Sequence, residues 1–378
     1  MSTAIVGIGR TEYSMASGRT PKAMAVEACR QALDDAGLGI EDVDGICTFM
    51  VNDSASAIDV GWALGRDEMS WCNTMLAGGN AVADQIATAA AVIEAGLAKA
   101  VLVYRSLNGR SGYRFGTVTG PMEVDNDLQV DVSSGFLVPP QWFAMWARRH
   151  QAETGSTCED LGQIAITQRS HAVPNEHAVR RDPLTMEAYL EGRWIAEPLR
   201  VFDCTSEVDG ACAVLLVGED LVKDVKTTPV WLLGSSNSQS GSGWMNWDDP
   251  TRMFGRTAGP KIWETTGLGP WDMDFACIYD CFTYTVMSAM ETFGFCERGE
   301  VGAFFREGRA TYGGDMVINP HGGLLSEGYI HGLNHHYEST LQLRGDAGVR
   351  QVEGAEVALV TAGGGPYGGA NVYSTVKP

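Results

Sequence analysis

Two tyrosines stand where glycine and polar residues crowd the chain. Tyr329 lies in NPHGGLLSEGYIHG (residues 319–332), bracketed by glycines and preceded by Ser326 and Glu327. Tyr279 lies in IYDCFTYTVM (278–287), beside Asp280. A phenol loses its proton near pH 10 in water, at about the value of a free tyrosine. It can donate a hydrogen bond to a developing oxyanion, or act as a base where its surroundings lower that value. Glycine lets the backbone turn sharply and lets other groups come close, which suits a loop built around a reacting group. Two further glycine-rich junctions have the same look: NTMLAGGNAVADQ (73–85) at a helix start, and TAGGGPYGG (361–369) after the strand-like run EVALV.

Each of these residues also has a plainer reading. A tyrosine in a glycine loop can be a packing aromatic. Asp280 suits a cap for the helix that follows it. The glycines at 363–365 suit close packing of strand and loop. His321 suits a hydrogen bond that holds its own turn. His335 and His336 are adjacent, and adjacent helical residues point in different directions, so they do not read as a metal pair. Cys277 and Cys281 are four apart with no second pair nearby, a weak metal spacing. No metal site is expected. The nine cysteines are scattered, without a CxxC pair, and read as free thiols of a reducing cytoplasm.

The elements that must position these residues follow from periodicity. Strand-like runs at 4–8, 44–51 and 99–106 alternate with helical patterns at 21–37 and 80–96. The first of these helices has Pro21 near its start and Gly37 as its stop. Alternating strands and helices predict a largely parallel sheet with helices on its faces. From 107 to 199 the pattern changes to aromatics, arginines, Pro139-Pro140 and helical pieces such as QWFAMWARRHQAETG, which read as an insertion. Strands resume at 211–217 and 230–233, and a second alternating half follows through ACIYDCFTY, YESTLQLRGDAG, EVALVTAGG and ANVYSTV. Both halves share a β-α-β order, a pattern-level sign of internal duplication. The division expected is 1–106, 107–199 and 200–378.

Composition narrows the function. The chain has 378 residues, 44% hydrophobic and 20% charged, as expected of a globular protein. No run approaches the roughly 20 apolar residues of a membrane helix. The opening residues lack a basic region followed by an apolar core and a cleavage site, so the expectation is a cytoplasmic chain. A net charge of −20 argues against nucleic acid. An anionic ligand is still compatible with local arginines, and Arg105, Arg110, Arg114, Arg148, Arg149, Arg180 and Arg181 are dense enough for one. The tryptophan- and methionine-rich stretches WFAMW and WMNWDDPTRMF suit either core or the wall of a wide apolar pocket.

The order and content of the four junctions resemble the thiolase superfamily, specifically the sterol-carrier-type thiolases and the related lipid-transfer aldolases of steroid breakdown. The resemblance covers nearly the whole chain. In thiolases the first junction supplies an acyl-accepting cysteine at a helix N-terminus; here Leu76 stands there, and Cys72 is four residues too early. YDCF resembles the HDCF motif, with Tyr279 in the histidine position. GGLLSEGYIHG resembles the loop whose GHP histidine activates that cysteine, with Tyr329 for the histidine and Ile330 for the proline. The last junction resembles CxGGGxG, with Thr361 for the cysteine and Gly363, Gly364 and Gly365 retained. The aldolase branch of the family carries tyrosines at these two histidine positions.

The resemblance implies a five-layer α-β-α-β-α fold of two duplicated halves with a helical and loop insertion. It also implies retro-aldol cleavage of a β-hydroxyacyl-CoA steroid to a ketone or aldehyde and propionyl-CoA or acetyl-CoA, without a cofactor. Tyr279 and Tyr329 would divide the work at the hydroxyl and at the thioester enolate. Asp280, His331, Thr361, Gly364 and Gly365 would support or bind the substrate, with backbone N–H groups near Gly364 and Gly365 adding oxyanion stabilisation. A homodimer through the N-terminal half and a companion protein carrying an OB fold and a zinc ribbon are implied as well. The rival expectations are a degradative thiolase, which Leu76 opposes, and a lipid or acyl-CoA carrier without turnover.

Overall fold

The computed structural model describes residues 2–112, 114, 116, 126–239 and 247–378. Among these residues twelve strands are formed: β1 (Thr3–Arg10), β2 (Gly45–Met50), β3 (Trp71–Leu76), β4 (Ala100–Asn108), β5 (Trp194–Ala196), β6 (Leu199–Arg200), β7 (Asp209–Gly218), β8 (Val230–Gln239), β9 (Phe275–Cys277), β10 (Val317–Ile318), β11 (Val357–Gly364) and β12 (Tyr367–Ser374). β5 and β6 form a small hairpin, and the other ten pair in the order β10-β9-β11-β12-β8-β1-β7-β4-β2-β3.

This row is one pattern used twice. Starting from β1, the neighbours β7 and β4 are antiparallel, then β2 and β3 parallel. Starting from β8, the neighbours β12 and β11 are antiparallel, then β9 and β10 parallel. A short antiparallel pairing of Ala4 and Ile5 with Trp231 and Val230 joins the two halves. The duplication expected from the β-α-β order is therefore present as repeated strand topology.

Side-chain alternation sets the layers, because successive strand residues face opposite sides. Ala4, Val6, Ile46 and Leu102 pack with the helices Pro21–Ala36 and Ala57–Leu64 on one side of the first half-sheet. Ile5, Cys47, Val101 and Val103 face the other way, into a layer that also receives Phe275, Cys277, Ala358 and Val360 from the second half-sheet. Helices Val82–Glu94 and Leu333–Arg344 fill that middle layer. A helix between two sheets has no solvent face, which explains the alanine-rich run of the first and the buried histidines of the second. Beyond the second half-sheet, helices Gly255–Thr266 and Thr283–Thr292 pack on Leu359 and Val372. The result is α-β-α-β-α.

Between β4 and β7 the chain forms helices Asn126–Ser133, Pro139–Thr154, Cys158–Ala172 and Met186–Glu191 and the β5–β6 hairpin. Trp142, Trp146, Met253 and Phe254 are core, so most of the aromatic-rich stretches serve packing; Trp244, Met245 and Asn246 lie outside the described residues. Helices 57–64, 158–172 and 255–266 were not apparent from periodicity. The helix expected within 337–348 runs from Leu333 to Arg344, starting four residues earlier, with Gly345 (φ 79°) as its stop. No described helix is long and apolar enough to cross a membrane.

Candidate active site

Tyr279 follows β9, and Tyr329 follows the short helix Gly323–Ser326, at the C-terminal ends of the second half-sheet's parallel strands. Their hydroxyl oxygens are 2.8 Å apart, in hydrogen-bond contact, with the rings at 68° to one another. Both line a cavity of about 1430 Å³. The two phenols quoted from the sequence thus meet at one point of one wall.

Each phenol is held from behind. The backbone N–H of Tyr279 donates to Thr361 Oγ1 at 2.9 Å. Thr361 is fully buried, and its hydroxyl fixes the loop that carries Tyr279. Asp280 is also fully buried and accepts from the N–H groups of Leu324 (2.9 Å) and Leu325 (3.1 Å). It caps a helix, but the short one leading to Tyr329 rather than the one that follows its own motif, so it ties the two tyrosine loops together. The N–H of Tyr329 donates to Ser206 O at 3.0 Å, and Ser206 in turn binds the backbone of Leu324 and Leu325. Glu327 is buried among Arg10 (2.9 Å), Asn334 (2.8 Å) and Asn175 (3.1 Å).

Two glycines are required by the site itself. A Cβ on Gly79 would lie 1.9 Å from Tyr279 Oη. A Cβ on Gly332 would lie 2.8 Å from the Tyr279 ring, and its φ of 84° is a glycine conformation. Gly79 opens the turn Gly79–Ala81 that leads into helix Val82–Glu94, so the phenol rests at the positive end of a helix of 13 residues. Gly364 lines the cavity, and Gly365 follows it in the left-handed region (φ 83°).

Burial pushes Tyr279 well above the ordinary phenol range, and Tyr329, Cys281 and Asp280 add to the rise. Burial also raises Tyr329, with Cys281 adding to it, but the hydrogen bond with Tyr279 and the positive charge of Arg105 pull the other way. Asp280 opposes negative charge on Tyr279, whereas Arg105 favours it on Tyr329. His331 packs against the Tyr329 ring, with centroids 4.7 Å apart.

Leu76 lines the cavity with 75% of its surface exposed, and no thiol stands in its place. Cys204 and Cys281 reach the wall, but burial pushes both far above the ordinary thiol range, so neither is a ready nucleophile. All nine cysteines are free, and Cys72 is exposed.

The arginine cluster expected from the sequence divides. Arg110, Arg114 and Arg180 line the cavity, joined by Arg169 and Arg193, which linear density did not single out. Arg105 is fully buried against Asp53 and His331 and is not available to a ligand. Arg148 and Arg149 pair with Glu197 and Glu153. His321 does not bond its own turn through its ring: its Nε2 meets His335 Nδ1 at 3.1 Å. Cys277, His321 and His335 form one cluster, among the described residues, with metal-ligand proximity. The ring nitrogens of the two histidines meet each other, and Asp280 lies 3.2 Å from His335.

Comparison with known proteins gives one consistent picture. The Thiolase C-terminal domain-like family model matches residues 236–373. The chain is 38% identical to 17-hydroxy-3-oxo-4-pregnene-20-carboxyl-CoA lyase of Mycobacterium tuberculosis, over 96% of both chains. It is 36% identical to the steroid side-chain-cleaving aldolase of Thermomonospora curvata, over 96% of this chain and 95% of that one. A solved Ltp2-ChsH2(DUF35) aldolase superposes with a TM-score of 0.89 at 34% identity, covering 99% of this chain and 97% of that one.

Proposed function

The chain belongs to the thiolase superfamily, among its steroid side-chain-cleaving aldolases, and on that premise we propose that it is a carbon–carbon lyase that cleaves a β-hydroxyacyl-CoA steroid by a retro-aldol reaction. The observation that carries this reading is the 2.8 Å contact between the Tyr279 and Tyr329 hydroxyls on the wall of the cavity. Within the pair, one phenol acts as phenolate and takes the proton of the β-hydroxyl. The hydroxyl oxygen becomes a carbonyl as the Cα–Cβ bond breaks, and the bonding electrons pass into the thioester enolate. The other phenol gives its proton to Cα. A proton crossing the short phenol–phenol bond then restores the starting state. The products are a ketone or aldehyde and a short acyl-CoA, propionyl-CoA first and acetyl-CoA second. The sequence of steps uses no cofactor. Stabilising the enolate oxygen by prearranged donors is the largest demand on the site.

The cavity suits both ends of such a substrate. Pro139, Pro140, Phe143, Leu184, Phe202 and Phe282 give it apolar wall for a ring system. Arg110, Arg180 and Arg193 are exposed on the same cavity and take part in none of the ion pairs among the described residues. In a chain of net charge −20, three uncommitted arginines at one cavity favour a polyanion such as the phosphates of CoA.

We also infer a homodimer through β3, which ends the sheet next to the exposed Ile58 and Trp62, and a companion of the zinc-ribbon and OB-fold class, in line with the DUF35 component of the Ltp2-ChsH2 aldolase. The test is incubation with a panel of β-hydroxyacyl-CoA steroids, with and without such a companion, followed by mass spectrometry of the products. The expected result is cleavage that Tyr279→Phe and Tyr329→Phe abolish while folding is intact. Ligand binding without turnover, indifferent to both substitutions, would make the chain a carrier.

A further inference from the structure

Behind Tyr329, on the first half of the molecule, lies a charged assembly that the cleavage steps above do not use. Arg105, on β4, is fully buried. Its Nη2 donates to Asp53 Oδ2, its Nη1 to Ser106 O at 2.9 Å, and its Nε to His331 Nδ1 at 3.2 Å. A guanidinium only donates, so Nδ1 of His331 must be the acceptor and the imidazole is neutral with its proton on Nε2. The ring lies between Tyr329 (4.7 Å) and Phe49 (6.4 Å), and the guanidinium also covers Phe49 at 5.6 Å. His331 holds this place with φ 52°, a conformation that side-chain-bearing residues rarely adopt, and such backbone persists where the surroundings over-determine it.

We propose that Asp53, Arg105 and His331 are positioning residues for Tyr329: His331 fixes the phenol ring, and Arg105 supplies, through it, the positive charge that a phenolate at this place requires. The inference rests on the lyase reading and deepens it. The titratable groups that act most on the phenol are Tyr279 and Cys281 from the loop after β9, Glu207 from the segment ahead of β7 and Arg105 from β4, with His331 packed on it from its own loop. Glu207 pairs with Arg114 at 2.7 Å, which leaves Arg105 as the cation acting on Tyr329 from the protein interior. Asp53 opposes its charge in part, and so sets how much of it reaches the phenol.

The experiment is the pH profile of kcat and KM for the assembled enzyme, with its companion, on the β-hydroxyacyl-CoA steroid of that panel that it cleaves. Arg105→Met is expected to displace the ascending limb of kcat upward by about one pH unit, so that kcat on the limb is roughly tenfold lower and recovers as the pH is raised. KM is expected to change little. Arg105→Lys should return the limb toward its original place. Asp53→Asn, which removes the opposing charge, should move it downward, and this opposite sign is one that a merely structural loss does not produce. If Arg105→Met does not fold, Asp53→Asn and Arg105→Lys carry the test by themselves. A limb unmoved in the folded variants, or an Asp53→Asn displacement of the same sign as that of Arg105→Met, overturns the inference while leaving cleavage by the wild type intact. If the wild type does not cleave, the lyase reading fails instead. The inference is then read from tyrosinate absorbance, where the Tyr329 contribution, obtained by difference with Tyr329→Phe, must shift with the same signs or the inference is overturned.

Discussion

At Tyr279 and Tyr329 the chemistry turns on who can carry a negative charge and for how long. Burial raises both phenols, so the singly ionised pair is a minor species at neutral pH. A mechanism that draws on it must speed up as protons are removed, and kcat is expected to rise with pH across the neutral and mildly alkaline range. A kcat independent of pH over that range contradicts a phenolate base. The same pair is sensitive to a single methyl group. Gly79→Ala places a carbon 1.9 Å from the Tyr279 oxygen, and the phenol must leave its contact with Tyr329. Loss of most activity is expected, on the order of 10²-fold for a displaced acid–base group. The helix that Gly79 leads into should survive, which circular dichroism checks. Much of this was legible from the residues: the two tyrosines, the glycines around them and the missing thiol at Leu76 are all linear features. Arg105 was visible too, but its density among other arginines suggested a ligand contact. Only the fold shows that β4 carries it inward to meet His331, 226 positions away.

The loop of residues 319–332 is the element that the second half of the molecule is built to hold. Glu327 anchors it through Arg10, and removing one partner of a buried ion pair leaves the other uncompensated. Glu327→Gln is expected to lower stability by about 3–5 kcal/mol, measured by denaturant unfolding. The pH dependence has a definite sign. Burial alone would raise the Glu327 carboxyl, but His321, Arg10 and Asn334 outweigh it and hold it at about 2. A depressed carboxyl stabilises above its unfolded value of about 4.3 and loses that contribution as pH falls through the folded value. His171, pushed by burial to about 4, and His321 and His336, pushed to about 3, act in the same direction. The unfolded chain binds their protons below about 6.5, and the folded chain does not. Stability is therefore expected to fall from about pH 6.5 downward, first through the histidines and then through Glu327. An unfolding midpoint unchanged between pH 7 and 4 would contradict this network. The strands around these groups were readable from apolar runs, whereas helices 158–172 and 255–266 were not. The first buries polar side chains such as Gln168 and Arg169 against the tyrosine loop, so its apolar period is blurred by the contacts it makes.

The molecule is two copies of one strand pattern whose middle layer is shared, and the site forms where the second copy meets the helix of the first. Five layers were implied by the four junctions, but their stacking depends on which face of each strand meets which helix, and that is set by long-range pairing. Among the described residues, the outer edge of β3 and the exposed Trp62 (67%) leave the first half with unpaired backbone and apolar surface at one end. Trp62→Glu is expected to convert a dimer to monomers in sedimentation or light scattering. A wild-type chain that is monomeric at micromolar concentration contradicts the proposed interface. The central claim is that the second half brings one coupled pair of phenols to one substrate, against the helix of the first. A double-mutant cycle on single-turnover cleavage of the β-hydroxyacyl-CoA steroid that the panel identifies, with Tyr279→Phe, Tyr329→Phe and the combination, tests it most directly. Groups that act as a unit are strongly non-additive. The account expects each single substitution to lose nearly all cleavage and the double to lose no more than the worse of the two. Losses that multiply, or a single variant that cleaves at the wild-type rate, would contradict it.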